Sequence, residues 1–248
     1  MPVSRSKAGT VFVSGGLVLT LTALAYPAML GVQNTATDSS RIVANTPYGP
    51  LTEADRDFVV KVRSAGLWEY PLGEMAMERG TTKEMREAGE HLVVGHAQLD
   101  ASCRKIAIEL GITLPNRATP QQQQFVAAVD SKSGNEFDNN AVGIMRVTHG
   151  QIFPTIGKIR AATENTLVRQ LADQANTIVL DHITVLEKTG LVNFEQVSAQ
   201  QTAPPKLPKE QLTPPARPRG APIVTLSPRP DLPDFYNTTS PTPTPSAG

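Results

Sequence analysis

Four ionisable residues are the candidates for chemistry in this chain: Glu69, His96, His149 and His182. Each fills one gap in an apolar stripe whose members recur every three or four residues. Phe58, Val62, Leu72 and Ala76 bracket Glu69, and Leu92, Leu99, Cys103 and Ile106 bracket His96. Ala141, Met145, Ile152 and Ile156 bracket His149, and Leu171, Ala175, Ile178 and Leu186 bracket His182. Three imidazoles and one carboxylate are a donor set for a single transition-metal ion, with zinc, copper and iron as the expected occupants. Without metal, the same groups make a buried network in which Glu69 bonds two or three histidines. A one-residue rotation would instead set some of the histidines at a helix flank. Residue types alone leave these three arrangements open. The residues three before the histidines are Val93, Arg146 and Val179, so the Glu-x-x-His repeat of di-iron bundles is absent. No separate nucleophile or general base accompanies the four, so the expectation is binding without enzymatic turnover.

The positioning elements must be long helices. Thr52 with Asp55, and Thr81 with Glu84, have the spacing of a capping box. Gly80, Gly111 and Gly190 stand where helices stop. The pattern predicts helices over about 53–79, 83–110, 136–162 and 165–189, with a short one over 120–131 that starts at Thr119-Pro120. No stretch alternates with a period of two over a useful length. Glu69 lies 12 residues before the turn near 81, and His96 lies 15 after it; His149 lies 15 before the turn near 164, and His182 lies 18 after it. At about 1.5 Å per residue these offsets differ by roughly one turn, so all four side chains reach one depth. The expected fold is all-α: an up-down four-helix bundle over 52–192, with one inward ionisable residue per helix.

The remainder of the chain bounds the function. It has 23 basic and 23 acidic residues, and no strongly basic block that would mark a nucleic-acid partner. The lone cysteine, Cys103, excludes an intramolecular disulfide and a cysteine-rich zinc site, and on its apolar stripe it reads as an inert thiol. Arg5 and Lys7 precede an uncharged run from Ala8 to Thr37, with Ala23-Leu24-Ala25 as a cleavage site. Residues 1–30 therefore read as a signal peptide, or as a membrane anchor if uncleaved. The chain is expected to be exported to the cell envelope or secreted. Residues 31–51 read as a linker. Thirteen of the 21 prolines fall in the last 45 residues, so 193–248 reads as a disordered tail available to envelope partners. His91, beside Glu87 and Glu90, reads as a surface residue. Gly143, Gly150 and Gly157 recur every seven residues and read as sites of close helix approach. A non-catalytic scaffold with a metal-free cluster is the alternative function; a phosphotransfer bundle would need an outward histidine.

Residues 51–192 resemble a family of bacterial exported proteins with a ferritin-like four-helix bundle and no assigned activity. The carriers are Ala54-Asp55-Arg56-Asp57-Phe58, Glu69 with Leu72-Gly73-Glu74-Met75-Ala76, and His96. Further on come Leu110-Gly111-Ile112-Thr113-Leu114-Pro115, Ser133-Gly134-Asn135-Glu136-Phe137-Asp138, His149 and His182. The resemblance implies the fold and export. Gly95 departs from it, since those proteins carry an aspartate there that would support His96.

Overall fold

The computed structural model describes residues 40–203 and 206–236, which form a two-stranded sheet and seven helices. The expected export segment lies outside these residues, as do 31–39 of the expected linker and 237–248 of the tail. Among the described residues no helix is long and apolar enough to cross a membrane. The fold is mainly helical, as expected, but it opens with a hairpin. Strands β1 (Ile42–Thr46) and β2 (Gly49–Thr52) pair antiparallel, with Ile42 opposite Thr52 and Thr46 opposite Gly49. The residues read as linker, Pro47 and its neighbours, are the turn of this hairpin. Its strands are too short to show alternation. The Tyr48 carbonyl accepts the Thr166 N–H at 2.8 Å, which seats the hairpin on the start of the last long helix.

The long helices are α1 (Glu53–Arg79), α2 (Lys83–Leu110), α4 (Gly134–Ala162) and α5 (Thr166–Lys188), with α3 (Pro120–Asp130) between α2 and α4. Their ends fall within two residues of expectation because the caps are strong. Thr52 Oγ accepts the Asp55 N–H, and the Asp55 carboxylate accepts the Thr52 N–H. Thr119 and Gln122 repeat the box at α3. The second cap is Thr82, not Thr81: Thr82 Oγ accepts the Met85 N–H, while the Thr81 hydroxyl donates to Asp138 at 2.5 Å. Adjacent threonines compete for one cap, and Asp138 on α4 takes Thr81 out of the contest.

Helix α1 packs along α2, α4 along α5, α2 along α5 and α1 along α4. Each pair is antiparallel. Arg63 meets Asp100 while Glu69 meets His96; Glu69 meets His149 while Thr81 meets Asp138. Consequently α2 and α4 run the same way. Strict up-down alternation is broken between them, and residues 111–133 travel the length of the helices. The glycines of close approach are Gly73 and Gly89 on α1 and α2. A Cβ at Gly89 would lie 2.7 Å from the Gly73 carbonyl oxygen. On α4 the expected role holds at Gly150 alone, where a Cβ would lie 2.5 Å from Gln201 Nε2. Space is open at Gly143 and Gly157, and Gly150 faces Gln201 of α6 (Phe194–Thr202).

Two large apolar clusters and one small one fill the interior. One large cluster, at the start of α1 and α5, gathers Phe58, Val62, Cys103, Ile156 and Leu171. The other large cluster, at the start of α2 and α4, gathers Trp68, Leu72, Met85, Phe137 and Met145. The Cys103 thiol belongs to the first, and burial pushes it up to about 12, so it is inert as expected.

The tail departs from the expected disorder over its described part. After α6 and the short α7 (Lys209–Leu212), residues 222–236 lie as a strap against α1 and α2. Proline removes donors from this segment, yet several of its remaining backbone groups find side chains on α1, on α2 and in the connection that follows α2. Asn116 donates to the Pro222 carbonyl and accepts the Val224 N–H. The Tyr70 hydroxyl donates to the Ser227 carbonyl at 2.9 Å.

The strongest fastening is a buried ion pair that the sequence did not suggest. Arg63 and Asp100, each at most 2 % exposed, meet between α1 and α2. Arg63 also donates to the carbonyls of Pro115 and Val224, and Asp100 also accepts from the Leu226 N–H and from Arg104. Burial lowers the Arg63 guanidinium to about 10, so it stays charged at neutral pH. Removing one partner of such a pair strands the other charge. Asp100→Ala is therefore expected to cost about 3–5 kcal/mol. Asp231→Ala, which breaks an exposed pair with Arg229, should leave stability close to that of wild type. Urea denaturation of the full chain measures both.

Candidate metal centre

The polar layer lies between the two large apolar clusters, at the depth the sequence spacing implied. Glu69 on α1, His96 on α2, His149 on α4 and His182 on α5 all point inward. Each is at most 5 % exposed, which excludes the flank arrangement. One ligand atom from each lies within 4.8 Å of every other. His96 Nε2 donates to Glu69 Oε2 at 2.8 Å, and His149 Nε2 lies 3.1 Å from the same oxygen. His149 Nε2 and His182 Nδ1 are 3.0 Å apart.

Two backbone carbonyls decide what those nitrogens carry. His149 Nδ1 donates to the Met145 carbonyl at 2.7 Å, one turn earlier on its own helix. His182 Nε2 donates to the His91 carbonyl at 3.0 Å, across on α2. A neutral imidazole has one N–H, so these bonds assign the tautomers. The inward nitrogens, His149 Nε2 and His182 Nδ1, are then both bare. Two electron pairs face each other at hydrogen-bond distance beside a carboxylate oxygen. A metal ion between them would satisfy both pairs; a proton there is opposed by the burial that disfavours charge on either ring.

Gly95 makes this geometry possible. A Cβ there would stand 2.6 Å from His182 Nε2 and 2.8 Å from an Ile178 methyl. The ring of His182 occupies the space beside Gly95, and so reaches the His91 carbonyl one turn earlier. The aspartate that the resemblance led us to expect could not fit beside His182 as it sits here.

Electrostatics follow from burial. Desolvation, joined by the charges of His149 and His96, holds His182 well below the ordinary 6.5. Desolvation also lowers His149, against the pull of Glu69. Burial pushes the Glu69 carboxyl up, but His149 and His96 more than reverse this and leave it below its ordinary value.

His91 is not the surface residue that its neighbours Glu87 and Glu90 suggest. Its ring is half-buried, with Nδ1 2.7 Å from Asp181 and Phe235 of the strap stacked on it at 3.7 Å. The Tyr236 hydroxyl donates to Asp181 at 2.5 Å and reaches the His91 carbonyl at 3.3 Å. Glu87 and Glu90 did suggest an outward His91. The contrary signal, Asp181 immediately before His182, was available only with the α2–α5 register in hand.

A family model described as a domain of unknown function (DUF4142) matches residues 43–188, from the hairpin to the end of α5. The chain belongs to this family. All four candidate ligands, Gly95 and the His91–Asp181 pair lie within the matched span; the strap lies outside it. No curated protein and no solved structure matches the chain.

Two outcomes test this geometry. Gly95→Ala should displace the His182 ring and destabilise the fold by about 1–3 kcal/mol, the cost of overpacking a filled interior. A His182→Ala background should remove most of that penalty, and additive losses would refute the contact. The second concerns acid. The folded pKa values of His149 and His182 lie below their unfolded value, so the unfolded chain binds more protons. Their contribution to stability is complete above about 6.5 and is lost as pH falls toward the depressed values. Glu69 adds its own loss only in the carboxylate range. With chelator present, the melting temperature of the full chain should fall between pH 7.5 and 5.0 by more than that of His149→Ala. Equal falls would mean that His149 is not held in a buried cluster.

Proposed function

We propose that this chain is an exported cell-envelope protein with a ferritin-like four-helix bundle. In this reading it holds one divalent transition-metal ion through Glu69, His96, His149 and His182 and serves as a carrier, store or metal-stabilised module. What carries the metal assignment is the pair of bare nitrogens, His149 Nε2 and His182 Nδ1, fixed by backbone carbonyls and aimed at each other beside Glu69. Histidine ligands commonly donate their other N–H to a carbonyl or carboxylate, which fixes the ring and strengthens its basicity. Both rings have that support here. The ferritin-like assignment is supported by the helix directions, with one long crossing between α2 and α4. Export is supported by Arg5 and Lys7 ahead of the apolar run.

A metal-free scaffold is favoured by one observation. Glu69 already accepts a hydrogen bond from His96 at 2.8 Å, so part of the cluster is satisfied without an ion. Elemental analysis separates the two. Full-length protein purified from cells supplied with zinc, copper and iron should carry one equivalent of metal. His96→Ala, His149→Ala and His182→Ala should each lose it. Folded wild-type protein with no bound metal under every supplement would end the metal reading and leave the scaffold.

A further inference from the structure

His96 has a buried atom that nothing in the cluster explains. Its Nε2–H goes to Glu69, and its Nδ1 has no hydrogen-bond partner among the described residues, although the residue is only 2 % exposed. An unpartnered buried nitrogen is costly, so its surroundings bear on function. On the α1 side it borders Gly66. A Cβ at Gly66 would lie 3.7 Å from His96 Nδ1 and 3.0 Å from a Leu226 methyl. The missing side chain of Gly66 is thus a gap in the α1 wall. His96 borders that gap, and so does Leu226 of the strap.

The strap is a separable element, unlike the helices that supply the ligands. Around Leu226 it joins the small cluster of Tyr70, Val93 and Ala97. Asp100 and Arg63 fasten the backbone on one side of the gap, through the Leu226 N–H and the Val224 carbonyl. Tyr70 fastens the Ser227 carbonyl on the other. Leu226 itself is 8 % exposed, so the outer face of the strap is close to solvent.

We propose that the gap at Gly66 is the loading port of the metal centre, that Leu226 is its plug, and that His96 is the first ligand an incoming ion meets. This rests on the metal reading above. In the metal-free form the Nε2 proton of His96 is held by Glu69, which leaves the electron pair on Nδ1, toward the port. Lifting residues 224–227 uncovers that nitrogen without moving α1, α2, α4 or α5. The two bare nitrogens on α4 and α5 are then reached from the His96 side. Leu226 touches no ligand-holding group by hydrogen bond, so it sets the rate of exchange and not the affinity.

The test uses full-length protein stripped of metal with chelator. Diethyl pyrocarbonate acylates unprotonated imidazole, and peptide mass spectrometry reads the rate at His96 without any metal present. Leu226→Ala should raise that rate about tenfold, because truncating a buried leucine favours local opening. Cobalt(II) uptake, followed by its absorbance in a stopped-flow instrument, should accelerate by a similar factor, with stoichiometry and equilibrium affinity as in wild type. Adding Gly66→Ala to Leu226→Ala fills the gap from the wall side and should return both rates toward wild type. Ile156→Val, a mild change in the other apolar cluster, should leave both rates alone; acceleration there would reduce the effect to general loosening and overturn the port. Equal rates in wild type and Leu226→Ala, with cobalt bound by both, would overturn the port and spare the metal centre. Faster labelling with no cobalt bound by any variant would overturn the metal reading and the port's role together.

Discussion

The structure depends on two hydrogen bonds to backbone carbonyls, from His149 to Met145 and from His182 to His91. Side-chain partners could release these rings by changing rotamer, but a helical carbonyl cannot turn away. The proton of each neutral imidazole is therefore committed to the outer nitrogen, and the inner nitrogens are left as acceptors. Glu69 adds a third acceptor, and burial removes the water that would otherwise satisfy all three. The interior is thus organised around an excess of electron pairs. The apolar clusters above and below keep that layer from spreading: Met145, whose carbonyl holds His149, has its own side chain buried in the cluster built on α2 and α4. Packing and polarity fix the same residue.

The His91 carbonyl accepts from His182 only because Gly95 has no side chain, and His182 can be reached only because α2 and α5 lie close. One missing methyl on α2 thus sets the tautomer of a ring on α5. The glycine that departs from the resemblance thus serves His182, whose support comes from backbone, while His96, the ring that the expected aspartate would have supported, keeps an unpartnered Nδ1.

Helix limits, the depth of the four ionisable residues and their inward direction were legible in the sequence. The stripes are long, their gaps are single, and threonine caps set the register. The same arithmetic about the turn near residue 81 pairs Arg63 with Asp100, yet a lone arginine on α1 looks like a solvated residue until its partner is known. The hairpin was hidden by the brevity of its strands, and His91 by the two glutamates beside it. The strap was illegible for a deeper reason. Its sequence has neither helical nor alternating periodicity, and what holds it is backbone bound by side chains more than a hundred residues earlier. Proline content correctly signals the lack of regular secondary structure in such a segment. It does not signal whether side chains elsewhere recognise the extended backbone, and Arg63, Asn116, Tyr70 and Asp100 do so here.

The strap and the site share one residue. The ring of His91 is stacked under Phe235 and paired with Asp181, which also holds the hydroxyl of Tyr236; the carbonyl of the same His91 orients His182. Strap residues thus border the site at two places, Leu226 at the gap beside His96 and Phe235 with Tyr236 beside His182. The two contacts differ in kind. Leu226 fills a gap, so losing it exposes a ligand while leaving the backbone bonds of His149 and His182 intact. Tyr236 gives its one hydroxyl proton to Asp181, the partner of the His91 ring, so losing it alters the surroundings of the carbonyl that orients His182 and leaves the His182 bond in place. Release of the strap would accordingly open the site and leave both backbone-held rings in place. An opening of that kind admits an ion without loosening the geometry that receives it.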